Sequence, residues 1–200
     1  MATSRGLVRV FEHADPDALA VRSHPWRGSL ANPAHRHHDL RREPGLIRTA
    51  LEDFVGWSHY PSTQTFYGLL EWLNGGGSRL ETSDCAFSGP APNDTAGFDK
   101  DLVCSGRLML LFRDLANNSE ASVHGLTDRV ARGLAGGEVD FEWGVFGATV
   151  VPVRFLTLPR GTQLGSQLML SFWAWGDDES EVMAHLDRSL HHLAAVVRTV

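Results

Sequence analysis

Residues 167–200 read QLMLSFWAWGDDESEVMAHLDRSLHHLAAVVRTV, and this stretch indicates the architecture of the chain. Every second residue from Leu168 to Ala174 is apolar, which is the period of a strand buried on one face. Asp178 and Glu181 then have the spacing of a helix capping box. The apolar residues that follow recur every three or four positions and predict a long amphipathic C-terminal helix lying on a sheet: Val182, Leu186, Leu190, Leu193 and Val197.

Length and charge limit the function classes. The chain has 200 residues, of which 42% are hydrophobic, enough for one full core. Its net charge is -6 and its longest basic block is Arg41-Arg42, so we expect no nucleic-acid partner. The longest purely apolar run, 108–112, is far shorter than the roughly 20 residues that a membrane span requires, and no signal-peptide pattern is present. We therefore expect a soluble protein with no membrane partner.

Cysteine and lysine usage indicate the compartment and the source. Cys85 and Cys104 are the only cysteines, too few for a disulfide scaffold or a four-thiolate zinc site, so a reduced cytoplasmic location is expected. Lys100 is the single lysine beside seventeen arginines. This bias is typical of GC-rich codons and favours a bacterial origin.

The pattern along the chain predicts an α+β fold. Residues 1–43 contain three prolines and no sustained periodicity, so we interpret them as a poorly ordered N-terminal arm before a single α+β domain at 44–200. Helices are predicted at 44–57, 62–73 and 120–135, and strands at 80–87, 102–112, 139–145, 149–158 and 167–175, with Gly147 as a break and Pro152 at a sheet edge or bulge. The order ααββαβββα predicts an antiparallel β-sheet of about five strands with helices packed on one face.

Five side chains are candidates for a contact surface. Arg107 and Arg154 fall within predicted strands and Arg113 directly follows one, and arginine suits bidentate capture of a carboxylate or phosphate. Trp173 and Trp175 project from the final strand opposite its apolar residues. If the five share one face, they form an amphipathic surface for an anion or a protein, because aromatic and arginine side chains dominate interface hot spots. The alternative is that the arm and helices of the same chain cover this face.

A second group of residues suggests catalysis. His59 lies at the junction of the first two predicted helices, where an imidazole could act as a general base because it titrates near neutrality. Asp84 and Cys85 in the first strand could complete a Cys-His-Asp arrangement. No nucleophile motif surrounds these residues, so a structural histidine and a buried cysteine are the favoured interpretation.

The cluster His35, His37, His38 and Asp39 contains side chains that suit zinc, nickel or copper. The predicted arm offers no periodic apolar residues to orient the imidazoles, and a flexible His-rich tract binds metal adventitiously. We therefore predict no metal site. The loop 88–101 is long enough to predict a lid or a contact loop.

Together these patterns favour a non-catalytic bacterial protein that acts by protein–protein binding, of the adaptor or immunity type. A protein partner or self-association as a homodimer is expected, and no cofactor is implied. The alternative is a small-molecule enzyme or ligand carrier with a pocket between the sheet and the C-terminal helix, where His59, Asp84, Cys85 and Arg107 would be the first candidates.

Overall fold

A computed structural model of the chain describes residues 7–11, 20–24, 38–49, 51–136, 143–157 and 161–200. Two short strands come first, a pair of helices and a β-hairpin follow, and a third helix separates that hairpin from a second hairpin and the last helix. In chain order the strands and α-helices are β1 (Leu7–Phe11), β2 (Ala20–His24), α1 (Glu52–Val55), α2 (Pro61–Asn74), β3 (Leu80–Pro92), β4 (Leu102–Phe112), α3 (Glu120–Ala135), β5 (Gly144–Thr157), β6 (Gly161–Gly176) and α4 (Glu179–Val197).

The structure is α+β, as predicted. Four strands form an antiparallel sheet in the order β5-β6-β4-β3, and β6 is the middle strand of the longer path β1-β5-β6-β4-β3. The free side of β5 carries β1 and β2, which both pair with it in parallel. The predicted order is matched only roughly, because two additional strands precede α1 and one strand fewer follows α3.

The strand after α3 is continuous where the sequence predicted two. β5 runs through Gly147 and Pro152 without interruption, and Val139–Glu142 of the predicted first strand lie outside the described residues. β1 pairs with 145–149 and β2 with 153–157, so Pro152 falls between the two registers. Proline has no N–H to donate to a neighbouring strand. On the side of β5 away from β6, Pro152 lies between the segments paired with β1 and β2, so a missing donor costs least there.

The N-terminal half differs from the prediction in two further ways. The range 1–43, predicted as an arm, includes β1 and β2, which join the sheet of the main domain. The helix predicted at 44–57 is a 3-10 helix, Pro44–Arg48, followed by the four-residue α1. Neither segment has a side-chain hydrogen bond at its N-cap, and each buries one large apolar side chain, Ile47 and Phe54.

The main core lies between the sheet and the helices. The even-numbered residues of β6 from Leu168 to Ala174 are fully buried, as their alternation predicted. α4 covers them with its apolar stripe, and α2 and α3 join the same core. At the start of α4 the N–H of Glu181 donates to the Asp178 carboxylate at 2.8 Å. The predicted cap is therefore present.

We call the face of the sheet that packs against these helices the inner face, and the opposite face the outer face. The odd-numbered residues of β4, β5 and β6 point to the outer face, since side chains alternate along a strand and paired residues share a face. At one end of the outer face lies a smaller cluster of buried apolar side chains, Leu111, Val153 and Phe155, with the partly buried Leu115 packed against it.

Candidate functional site

The centre of the outer face carries a group of side chains that are half-buried or exposed, which we call the outer patch. It spans the three adjacent strands β4, β6 and β5. Its members are Val103, Ser105, Arg107, Val145, Met169, Ser171 and Trp173. None of these side chains is assigned to either buried core cluster.

Trp173 lies in the middle of the outer patch. It pairs with Ser105 on β4 and with Val145 on β5, and its ring is half-buried. Arg107 pairs with Ser171, one diagonal step from Trp173, a separation of about 7 to 8 Å between cross-strand neighbours. The Arg107 guanidinium donates to the Asp84 carboxylate at 3.2 Å while half of its side chain stays exposed. Two of the predicted contact residues are therefore brought together.

Trp175 is on the same face but is covered. It is 3% exposed, and its ring stacks on Phe98 with a centroid distance of 3.9 Å and an interplanar angle of 7°. Its indole N–H donates to the side-chain oxygen of Asn93 at 3.3 Å. Both partners belong to the predicted contact loop, so Trp175 anchors that loop within its own chain.

We call residues 93–101 of that loop the strap. Asn93 shapes it by donating from its side chain to the backbone oxygens of Phe98 and Lys100. Lys100, whose side chain is 11% exposed, donates to Asp177 at 2.6 Å and to Glu181 at 2.9 Å. The strap is therefore fastened to the start of α4 by a cation between two carboxylates.

This cluster shifts two pKa values. The hydrogen bonds to Asp177 and Glu181 raise the pKa of Lys100. The backbone N–H of Asp177, and next the Lys100 ammonium, lower the pKa of Glu181. The Lys100 ammonium also lies 5.0 Å from the centroid of the Trp143 ring. In the sequence Lys100 stands out only as the single lysine of an arginine-rich chain, and no local pattern predicts its partners 77 and 81 residues away.

The other predicted arginines are placed apart from the outer patch. Arg113, just after β4, donates to the backbone oxygens of Leu73 and Gly75 at the end of α2 and to that of Leu80 at 3.1 Å. Its guanidinium therefore donates hydrogen bonds to carbonyl groups that have no partner within the helix at its C-terminal end. Arg154 pairs with Leu164, and its even position on β5 puts it on the face opposite Trp173, where it is exposed.

The residues of the hypothetical Cys-His-Asp arrangement do not come together: His59 lies apart from β3, and the neighbours Asp84 and Cys85 point to opposite faces of that strand. His59 is exposed in the turn before α2 and packs against Tyr60, with a ring-centroid distance of 4.3 Å. Asp84 is paired with Arg107 on the outer face. Cys85 pairs with Leu108 and therefore points to the inner face.

A cavity of about 60 Å³ lies beside the edge strand β3. It exists because a β-bulge lies between Thr82 and Asp84, so that three residues of β3 span two of β4. The bulge places both Thr82 and Cys85 on the inner face, opposite Leu110 and Leu108. The lining consists of His38, Leu40, Leu51, Thr82, Ser83, Asp84 and Cys85.

The alternative prediction placed a ligand pocket between the sheet and α4. In the structure, side chains fill this space. Leu186, Leu190 and Leu193 of α4 and Leu170 and Phe172 of β6 are each at most 1% exposed. Within the part of the chain that the structure describes, no three His, Cys, Asp or Glu residues are arranged to hold a metal ion. His35 and His37 of the predicted cluster lie outside the described residues.

No helix within the described ranges is both long enough and apolar enough to cross a bilayer. Comparison of the chain with protein-family models, with curated proteins and with solved structures finds no match.

Proposed function

We propose that this protein is a non-catalytic binding protein and that the outer patch contacts a protein partner, in the simplest case a second copy of the chain. The observation that carries the proposal is the position of Trp173, a large aromatic side chain left half-buried at the centre of the sheet. Among the described residues, α2, α3 and α4 cover the inner face, whereas the centre of the outer face carries half-buried and exposed side chains that a partner could contact.

The composition of the outer patch supports this role. Aromatic, methionine and arginine side chains are enriched at the centres of interfaces, and one of each is present here as Trp173, Met169 and Arg107. The valines and serines between them have small side chains. The one charged pair, Arg107 with Asp84, lies toward the β3 edge, which resembles the polar rim of an interface.

The position of the patch favours self-association. In a twofold dimer the same surface of both copies meets, so a patch near the middle of a sheet contacts itself when the sheets pack face to face. β6 is the central antiparallel strand, and the patch extends to one strand on each side of it. Two such sheets would pack about 10 Å apart with their tryptophans near the axis.

The oligomeric state of the full chain tests the proposal. We expect the wild-type protein to be a dimer by native mass spectrometry and by sedimentation at micromolar concentration. Trp173→Ala is expected to weaken association about thirtyfold, because truncation of a central aromatic costs about 2 kcal/mol at an interface hot spot. Unchanged circular dichroism would show that the variant is folded.

A matched pair of arginine variants distinguishes the loss of a contact in the outer patch from the loss of a positive charge elsewhere on the protein. Arg107→Ala removes the guanidinium within the patch, whereas Arg154→Ala removes an exposed guanidinium from the opposite face. Only Arg107→Ala should weaken the dimer. A wild-type monomer at all concentrations, or equal effects of the two variants, would exclude self-association through this surface.

The adaptor and immunity types remain the proposed roles of such a binding protein. Both need an accessible contact surface and neither needs a cofactor. The outer patch offers this surface. The charge of Arg107 is balanced by Asp84, so the patch is nearly neutral, which favours an apolar partner surface over a strongly charged one.

A further inference from the structure

Two further tryptophans lie beside Trp173 at the end of the outer face where the strap is fastened. Trp175 is two positions from Trp173 on β6, so the two side chains share this face. Trp143, directly before β5, lies opposite Trp175, and its backbone oxygen accepts from the Trp175 backbone N–H at 3.1 Å. Trp175 also pairs with Val103 of the outer patch. The outer patch is therefore continuous with a second aromatic surface.

The strap contacts both of these tryptophans. The Phe98 ring stacks on Trp175, whose indole N–H donates to the Asn93 side chain, and the Lys100 ammonium lies over the Trp143 ring. Trp175 is buried, but it is assigned to neither core cluster of the described residues. Displacement of the strap would therefore uncover its ring. While the strap is in place, a partner on the outer face reaches Trp173 but not Trp175.

The strap can leave the sheet without disturbing the cores. Six of its nine residues are exposed, and none is assigned to a core cluster. Its two ends are joined, because the N–H of Asn93 donates to the backbone oxygen of Asp101 at 2.8 Å. A compact loop with joined ends can move as a unit. Segments with few buried apolar contacts also open at a lower free-energy cost than the core.

Lys100 is the only cation within two acidic segments. Three of the nine strap residues are aspartates, and four of the five residues 177–181 at the start of α4 are acidic. Like charges this close repel, so the acidic residues alone would push the strap away from α4. The Lys100 ammonium donates to Asp177 and Glu181 and offsets this repulsion. Loss or reversal of this one charge should therefore release the strap.

We propose that the strap is a releasable cover held closed by Lys100, and that its opening adds Trp175 and Trp143 to the surface that binds a second copy of the chain. This inference rests on the function proposed for the outer patch. In the closed state the strap restricts the contact to the surroundings of Trp173 and is autoinhibitory. The open state presents more aromatic surface, which dominates interface hot spots. The fraction of open molecules then sets the apparent affinity of the dimer.

Lys100→Glu tests the release of the strap, and Lys100→Arg, which keeps the cation, is its control. Both are made in Trp173→Ala, so that association does not shield the strap. Hydroxyl-radical oxidation, located by peptide mass spectrometry, measures the exposure of Trp175. We expect oxidation of Trp175 to be at least fivefold faster with Lys100→Glu and unchanged with Lys100→Arg.

The footprint has an internal reference. Trp72 packs against the main core, so its oxidation rate should be the same in all variants and would rise only on global unfolding. An unchanged rate at Trp175 in Lys100→Glu would overturn the role of Lys100. A rise at Trp175 and Trp72 together would show unfolding rather than release of a cover, and would overturn it as well.

Sedimentation of chains that retain Trp173 tests the regulatory role, at about 0.15 M salt to screen distant charges. Lys100→Glu should dimerise about tenfold more tightly than the wild type, Lys100→Arg should match the wild type, and addition of Trp175→Ala to Lys100→Glu should remove the gain. A Trp173-dependent dimer that is no tighter in Lys100→Glu would overturn autoinhibition and leave the proposed function intact. Absence of association in every variant would overturn both.

Discussion

At the scale of single residues, Arg113 shows how a side chain acquires a role that its sequence position conceals. An arginine after a strand suggests a surface cation, but Arg113 donates to Leu73, Gly75 and Leu80 backbone oxygens. Burial and the nearby Arg41 guanidinium lower the pKa of Arg113, and Glu81 opposes this shift. The partners are 33 to 40 residues away in sequence, so only the folded chain brings them together.

Replacement of Arg113 should destabilise the protein. In Arg113→Met the carbonyls at the end of α2 lose a charged donor in a partly buried setting, and we expect the free energy of unfolding to fall by about 2 kcal/mol. Urea denaturation at pH 7, followed by circular dichroism, measures the change. Arg154→Met, on an exposed strand position, is the control and should change stability by less than about 0.5 kcal/mol. Equal losses in both variants would contradict a capping role for Arg113.

At the scale of elements, the sequence predicted best what depends on local periodicity. The alternation in β6 and the capped stripe of α4 were confirmed because a period of two or 3.6 is set by the chain itself. The prediction of two strands in place of β5 was wrong, because a strand that contains Gly147 and Pro152 depends on pairing with its neighbouring strands, which the local sequence does not show. β1 and β2 were missed because five-residue parallel strands gain their stability from β5 rather than from their own pattern.

Two glycines of α3 should respond in opposite ways to the same substitution. A Cβ at Gly125 would meet only the flexible end of Arg129, at 3.7 Å, whereas a Cβ at Gly133 would lie 2.6 Å from a methyl group of Val196 on α4. Gly125→Ala should therefore raise the free energy of unfolding by about 0.5 to 1 kcal/mol through helix propensity. Gly133→Ala should lower it by about 1 to 3 kcal/mol through overpacking where α3 meets α4. Thermal unfolding measures both, and stabilisation by both would show that this contact is not tight.

At the scale of the whole molecule, the sequence predicted the class of fold, whereas the contact role of Trp173 and Arg107 stays a prediction. Trp173 and Arg107 lie one diagonal step apart because β4 and β6 are neighbours, an arrangement that the predicted α+β fold allowed but did not specify. The strap and the β3 cavity were not predicted. Both depend on segments far apart in the chain, such as those of Lys100 and Glu181 at the strap or of His38 and Cys85 in the cavity lining, and no local period records them.

The strap should make the stability of the molecule depend on pH through Lys100 and Glu181. The folded-state pKa of Glu181 lies below its ordinary 4.5, so its contribution is present above that pH and is lost as the pH falls through the folded value. The pKa of Lys100 is raised above 10.5, so its contribution is complete below that pH and is lost only in alkali. Lys100→Met should therefore lower the free energy of unfolding by about 1 kcal/mol between pH 5 and 9, and the deficit should shrink below about pH 4. Urea midpoints at several pH values measure this, with Lys100→Arg as the variant that keeps the charge. A deficit that is the same at every pH would show that the lysine stem, rather than its charge, holds the strap to α4.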